Sequence, residues 1–336
     1  MSAHDPLVAV VTPVYNCEKY FSDCIESVLA QTYDNWEYTI VNNCSTDKTL
    51  EIAERYSKMD RRVRVRSYHE FVGLYENHNR ALRIISPDSK YCKVVAADDW
   101  IHSDCLTQMV RVAEAHPTVA IVGSYQQYGD KVIGEGLPPN LECFSGRAAI
   151  RLSLLSLGQP HTLDAFGVPT SSLYRSEVVR NNDPFFPHSA PYADTTLCYK
   201  YLHDYDFGFV HRVLSTMRAH DEQTTSKVNL KYGMSFIGSM DHISTYGPVY
   251  LDKVELETTE AGFFRKYYKC LGARLLQLHY DKEYWAYQAS KMKEFGYPFL
   301  FSKVIRGAVE EIAEELQDPG IAFHKFFAVL QRKFCK

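Results

Sequence analysis

Over roughly its first two hundred residues this chain alternates short β-branched runs with stretches whose apolar residues recur at helical spacing. That alternation restricts its fold more than any other feature. "LVAVVTP" reads as a buried strand ended by Pro13. Phe21, Cys24, Ile25, Val28 and Leu29 follow at i, i+3, i+4, i+7 and i+8, one face of a helix. "WEYTIV" is a second strand, and "STDKTLEIAERY" a helix opened by Ser45 or Asp47 as cap. "RVRVRSY" alternates as a third strand does, "NHNRALRII" is helical, and "YCKVVAA" is a strand. "SDCLTQMVRVAEAH" is a helix and "TVAIVGSY" a further strand. The pattern predicts a mostly parallel twisted sheet with helices on both faces. Ligands of such sheets bind beyond the carboxyl ends of the strands, where Asn42-Asn43 and Asp98-Asp99 both fall.

The Gly/Pro-rich "GEGLPPN" interrupts the alternation. A helix from about Arg147 to Leu157 follows, then "FGVPTSSLYR", a helix containing "YADTTLCYKYL", and a last strand in "DFGFVHRVLSTMRAH". Beyond about residue 225 the signal is helical and aromatic, so two domains are expected, 1–222 and 223–336. The aromatics of the second, Phe263, Phe264, Tyr267, Tyr268, Trp285 and Tyr287, suit a helix-bundle core better than a sugar-stacking surface. The closing "IAFHKFFAVLQRKFCK" mixes Phe with Lys and Arg. It reads as a docked helix with snorkelling lysines, or as a helix lying on a membrane surface.

A hydrophobic share of 46% and a charged share of 23% are those of a globular protein, and a net charge of −4 argues against a general nucleic-acid binder. No apolar run reaches the roughly 20 residues of a membrane span, and the first residues lack a signal-peptide pattern. Nine cysteines, with no C-x-x-C pair, argue against zinc and disulfide frameworks. The expected location is cytoplasmic, with peripheral contact at the inner face of a membrane as an option.

Asp98 and Asp99 close a buried apolar run, and carboxylates at a strand tip are costly unless a cation is placed there. Oxygen ligands favour hard divalent ions that leave room for phosphate oxygens. The competing reading is a solvated turn. Tyr15, in "TPVYN", offers a flat face to a base, or packs on the sheet as an ordinary strand-end residue. Asn42 and Asn43 offer amides suited to a base edge, or serve as turn residues ahead of a Ser-Thr-Asp cap. "RRVRVR" reads as a strand with one solvated basic face, and neither G-x-G-x-x-G nor a P-loop is present.

Taken in order, "TPVYN", "WEYTIVNNCSTDKT", Gly73, "ENHNRAL", "YCKVVAADDW" and "YADTTLCYKYL" resemble the inverting nucleotide-sugar glycosyltransferases of the A-type fold, family 2. The resemblance spans roughly residues 7 to 218. It implies the nucleotide-binding glycosyltransferase A-type fold, a mostly parallel sheet followed by an α-helical C-terminal region. It also implies roles for single residues. Pro13 and Tyr15 form the turn whose tyrosine stacks on the base, and Asn42 stands where an acid usually bonds that base. His78 and Asn79 stand where an Arg-Asn pair faces the diphosphate. Asp99 binds the metal, Mn2+ or Mg2+, and Asp98 the ribose or a metal-bound water; Ala96 replaces a first acid. Asp194, in Ala193-Asp194, is the catalytic base, and His220 completes the metal site, with His211 as its substitute.

The implied activity is metal-dependent inverting transfer of a sugar from a nucleoside-diphosphate donor, UDP-linked in this reading. The acceptor is a hydroxyl of a glycan, a lipid-linked or a small molecule, in surface polysaccharide or glycoconjugate synthesis. A homo-oligomer through the helical C-terminal region is a further expectation. The departures at Asn42, His78, Ala96 and Ala193 motivate a second reading, a nucleotide-sugar binding protein without catalysis. A glycoside hydrolase would need two acids ~5–10 Å apart across one cleft, and no second acid accompanies Asp194 in the sequence.

Overall fold

A computed structural model describes residues 5–160, 163, 165–187, 192–220, 233–276 and 281–317. The chain forms two compact units, residues 1–156 with 161–227 and residues 157–160 with 228–336.

The first unit is built on one twisted sheet. Its strands are β1 (Val8–Val14), β2 (Trp36–Asn43), β3 (Val63–Tyr68), β4 (Tyr91–Val94), β5 (Trp100–Ile101), β6 (Val119–Tyr128), β7 (Lys131–Ile133), β8 (Cys143–Phe144), β9 (Ser172–Arg175) and β10 (Asp206–Met217). The helices between them are α1 (Phe21–Leu29), α2 (Thr49–Met59), α3 (Leu74–Leu82), α4 (Cys105–Ala115), α5 (Gly146–Leu157), α6 (Ser176–Arg180) and α7 (Ala193–Tyr201). The strand order is β3-β2-β1-β4-β9-β6-β10-β5, with β7 on β6 and β8 on β10.

β3, β2, β1 and β4 run parallel, as does β6 with β10, so the alternation in the sequence is borne out by an α/β sheet. The sheet is nevertheless mixed. β9 lies antiparallel between β4 and β6, entering through a 3₁₀ turn at Pro169–Ser171. Hydrophobic periodicity reports which face a strand buries and carries no record of its direction. Pro13 also does less than expected: β1 keeps pairing with β2 through Pro13↔Val41 and Val14↔Asn42. Its pairing with β4 has already ended at Val11↔Val94, so the missing proline N–H falls where β1 has lost one neighbour.

Every residue of β1 is buried, as befits a strand flanked by two others and covered on both faces. Val8 and Val10 meet Phe21, Cys24, Ile25 and Val28 from α1, and Leu106, Met109 and Val110 from α4 join the same core. Each such side chain contributes about 1.5–3 kcal/mol by leaving water. At the edge, β3 turns Val63 inward and leaves Arg64 and Arg66 exposed, which discourages a further strand from adding there. Arg62 lies over the Trp36 ring at 3.7 Å, so the basic run is a solvated strand face.

The second unit consists of α8 (Met234–Tyr250), α9 (Lys253–Leu276), α10 (Lys282–Glu294) and α11 (Phe301–Gln317). Phe263, Tyr267 and Tyr268 are buried, Phe263 stacks on Tyr267 at 6.2 Å, and the Tyr267 hydroxyl donates to Gln288 at 2.7 Å. These aromatics therefore form a core. No described helix is long and apolar enough to cross a membrane. The closing Phe/Lys/Arg stretch lies outside the described residues.

Gly146 starts α5 where a Cβ would overlap the carbonyl oxygens of Leu202 and Tyr205. Gly146→Ala should therefore push α5 off the end of α7 and destabilise the first unit by about 1–3 kcal/mol. Denaturant unfolding read by tryptophan fluorescence measures this, and an unchanged midpoint would show that the backbone yields freely there.

Candidate functional site

The carboxyl ends of β1 and β2 carry two loops that are laced together. Asn16 N–H donates to Ser45 Oγ at 3.0 Å, and Thr46 N–H donates to Asn16 Oδ1 at 2.8 Å. Glu18 N–H donates to Asp47 Oδ2 at 3.0 Å, and Lys48 N–H returns a bond to Glu18 Oε2 at 2.9 Å. Both loops contain a left-handed residue, Asn16 at φ 46° and Cys44 at φ 60°. Asparagine tolerates that region and cysteine rarely visits it, so the lacing has to hold Cys44 in place. The loop before α3 is pinned as well, since the Asn43 amide accepts from Val72 N–H at 3.0 Å and donates to Val72 O at 2.8 Å. Asn43 thereby sets Phe71 against Tyr15, with centroids 4.8 Å apart and rings at 66°. Tyr15 is 47% and Phe71 57% exposed, an open aromatic corner at the sheet's rim.

Several residues expected at a nucleotide turn inward instead. Asn42 is buried, donating to Ser67 Oγ at 2.9 Å and accepting from Ser45 N–H at 3.2 Å. His78 is buried with Nδ1 2.9 Å from the Leu74 carbonyl, and burial pushes its pKa down, so the ring is neutral. Asn79 bonds both ways to the Phe186 main chain, at 2.9 and 2.8 Å. The doubled Asn42-Asn43 and the pair His78-Asn79 thus hold loops in place, a use that a short polar motif does not distinguish from ligand binding.

The two aspartates divide. Asp99 is 4% exposed; its Oδ2 accepts from the Thr170 hydroxyl at 2.9 Å and its Oδ1 from Arg218 N–H at 3.2 Å. Burial, with the neighbouring Asp98 charge second, raises its pKa to about 7. Asp98 keeps 30% of its side chain exposed and faces His220, whose Nε2 lies 3.0 Å from Oδ2. The His220 ring rests on Tyr20 at 4.7 Å, and its Nδ1 is buried without a hydrogen-bond partner. Arg218 closes the corner from behind. Its Nε donates to the Asp98 carbonyl at 3.2 Å, and a terminal nitrogen reaches Asp23 at 2.6 Å. Its guanidinium lies over Tyr20 and Trp100. His211 is elsewhere, with Tyr125 OH 3.0 Å from one ring nitrogen and the Leu141 carbonyl 2.7 Å from the other. Asp98 is close enough to the Tyr15 loop that, after burial itself, its charge is the largest cause raising the Cys17 thiol to about 12.

The Asp98–His220 pair suits a small divalent ion. Neighbouring ligands about 2.1 Å from one such ion lie ~3 Å from each other, and the two donor atoms are 3.0 Å apart. Among the described residues no group of three or more His, Cys, Asp or Glu forms a complete cage. An ion here would complete its shell with phosphate oxygens and water, as Mg2+ and Mn2+ do.

Asp194 lies in the first turn of α7 and accepts from Thr195 N–H at 3.0 Å. Part of its surface remains open, yet the protein around it pushes its carboxyl up. Burial, with the Asp194 charge second, pushes up the hydroxyl of Tyr75, whose ring is stacked on Phe186 at 6.3 Å.

Residues 9–182 match the family model described as Glycosyl transferase family 2. Glycosyltransferase GlyA of Streptococcus pneumoniae is 33% identical over 126 residues, which is 38% of this chain and 18% of that protein. The chain spans less than half the length of GlyA and of the other curated relatives of comparable similarity. Among solved structures, residues 1–349 of TarS of Staphylococcus aureus in complex with UDP-GlcNAc give a TM-score of 0.60 at 17% identity. The match covers 87% of this chain and 80% of that one. Mannosyltransferase PcManGT from Pyrobaculum calidifontis, in complex with GDP-Man and Mn2+, gives 0.54 at 15% identity, covering 93% and 89%. At these identities the likeness is one of fold.

The raised Asp194 carboxyl sets a pH dependence of stability. Folding penalises its charged form, so the penalty is absent below the unfolded value of about 4 and complete above the raised folded value. Asp194→Asn removes the ionisable group and keeps the shape. Its Tm should exceed that of the wild type at pH 8, and the two should converge toward pH 4. A variant less stable than wild type at pH 8 would mean that the surroundings favour the carboxylate.

Proposed function

The chain belongs to glycosyl transferase family 2, and from that premise we propose that it moves a sugar from a UDP-linked donor to an acceptor hydroxyl, inverting the anomeric carbon. One observation carries the reading: Asp98 and His220 meet at ligand spacing on the rim that also bears the open Tyr15–Phe71 corner. The ring of Tyr15 offers a stacking face for the base. Asp98 and His220 would hold Mn2+ or Mg2+, with Asp99 as the buried anchor of the acidic loop, an exchange of the roles that the resemblance implies. A divalent ion held there would neutralise charge that grows on the departing diphosphate.

Asp194 is the base that takes the proton of the acceptor hydroxyl as that oxygen attacks the face opposite the diphosphate. A carboxyl raised by burial is better matched to this work near neutral pH than an ordinary one. The fold admits both UDP and GDP donors, since TarS holds UDP-GlcNAc and PcManGT holds GDP-Man with Mn2+. We take UDP from the likeness to TarS. TarS is named for transfer to poly(ribitol-phosphate), which supports a glycan or surface-polymer acceptor. The free thiols among the described cysteines suit a reducing, cytoplasmic setting. The second reading, a binding protein without catalysis, draws on the neutral, inward-turned His78. Release of UDP from the donor without acceptor separates the two.

Asp194→Asn should slow turnover by at least ~10²-fold while leaving donor binding intact. Near-normal turnover would remove Asp194 from the role of base. In thermal-shift titrations UDP with Mn2+ at 100 times its Kd should stabilise the protein by about 2.7 kcal/mol. Asp98→Ala or His220→Ala, or EDTA, should erase the Mn2+-dependent part of that shift. A shift that survives all three would place the metal elsewhere.

A further inference from the structure

Among the described residues, Lys93 and Asp99 are the only Asp, Glu, Lys or Arg residues that are buried, at 0% and 4% exposed. Both bond to the same partner. Lys93 Nζ donates to the carbonyls of Thr170 and Ser172, the second at 3.0 Å. The Thr170 hydroxyl donates to Asp99 Oδ2 at 2.9 Å and accepts Ala96 N–H at 3.0 Å. Lys93 therefore reaches from β4 across to the 3₁₀ turn before β9, and that turn reaches back to the acidic loop at two points.

Position 93 lies mid-strand in an otherwise apolar buried run, "YCKVV", where Val or Ile would pack without a desolvation cost. Both carbonyls that Lys93 reaches lie at the turn whose Thr170 hydroxyl holds the Asp99 carboxyl, so the lysine and the acid are joined through one segment. We infer that Lys93 and Thr170 are positioning residues for the metal-binding acid: they fix Asp99 inward and so turn Asp98 toward His220. Burial lowers the Lys93 pKa to about 8. Arg218 N–H holds the other Asp99 oxygen, so both carboxylate oxygens are anchored and the side chain cannot swing to the rim. The inference rests on the reading of Asp98 and His220 as metal ligands.

The test is Mn2+ binding followed by electron paramagnetic resonance, with Mn2+ alone and with Mn2+ plus UDP. Lys93→Met and Thr170→Val should each raise the Mn2+ dissociation constant at least tenfold, while metal-free UDP binding changes less than threefold. Thr170→Ser keeps the hydroxyl and should restore Mn2+ affinity to within threefold of the wild type. Lowered Tm with unchanged Mn2+ affinity in both variants would reduce the network to a packing device and overturn the inference. Should Lys93→Met fail to fold, the Thr170 Val/Ser contrast decides alone. A wild-type protein that binds no Mn2+ removes the metal reading and this inference together. Wild-type binding with unaltered variants removes only the inference.

Discussion

A carboxylate taken out of water holds its place only where donors inside the protein reach it. Asp99 has two, the Thr170 hydroxyl and the Arg218 main-chain N–H, one on each oxygen. That double anchorage organises everything around it. The neighbouring Asp98 faces the opposite way, toward His220 and solvent. Arg218 ties the same loop to the first turn of α1 through Asp23, and its guanidinium fills the gap between Tyr20 and Trp100. The ends of β4 and β10, the start of α1 and the turn before β9 thus converge on one buried acid.

The loops around Tyr15 use main-chain donors instead of a buried charge. Asn16, Glu18, Ser45, Thr46, Asp47 and Lys48 cross-link the loops after β1 and β2. This holds Cys44 in a left-handed conformation that costs of order 1–3 kcal/mol for such a residue. Tyr15 stays exposed because the chain around it is fixed by its neighbours rather than by packing of its ring. A rigid sheet carrying cross-linked loops suits a site that must present groups to a ligand without reorganising.

Much of this architecture is legible in the residues themselves. Phe21, Cys24, Ile25 and Val28 all bury the face that their spacing predicts, and the fully buried β1 reads as a continuous apolar run. Asp98 and His220, which only the family resemblance brings together in the sequence, lie 3.0 Å apart although 122 residues separate them. What the residues do not disclose is orientation. Asn42 and Asn43 are the same side chain at the end of one strand, and each anchors a loop through different partners. His78 has the chemistry of a phosphate contact, yet the helix turns it to the Leu74 carbonyl. Lys93 gave no signal beyond being a lone cation in an apolar strand.

Local sequence alone determined the succession of strands and helices, the burial of β1 and the identity of the polar residues at the strand ends. Each follows from side-chain periodicity and turn chemistry within a few residues. Tertiary structure alone decided the reversed direction of β9, the different burial of Asp98 and Asp99, and the placement of His220 rather than His211 beside Asp98. Those outcomes depend on which distant groups arrive with donors or acceptors at hydrogen-bond range. A chain encodes that only through the packing of the whole sheet.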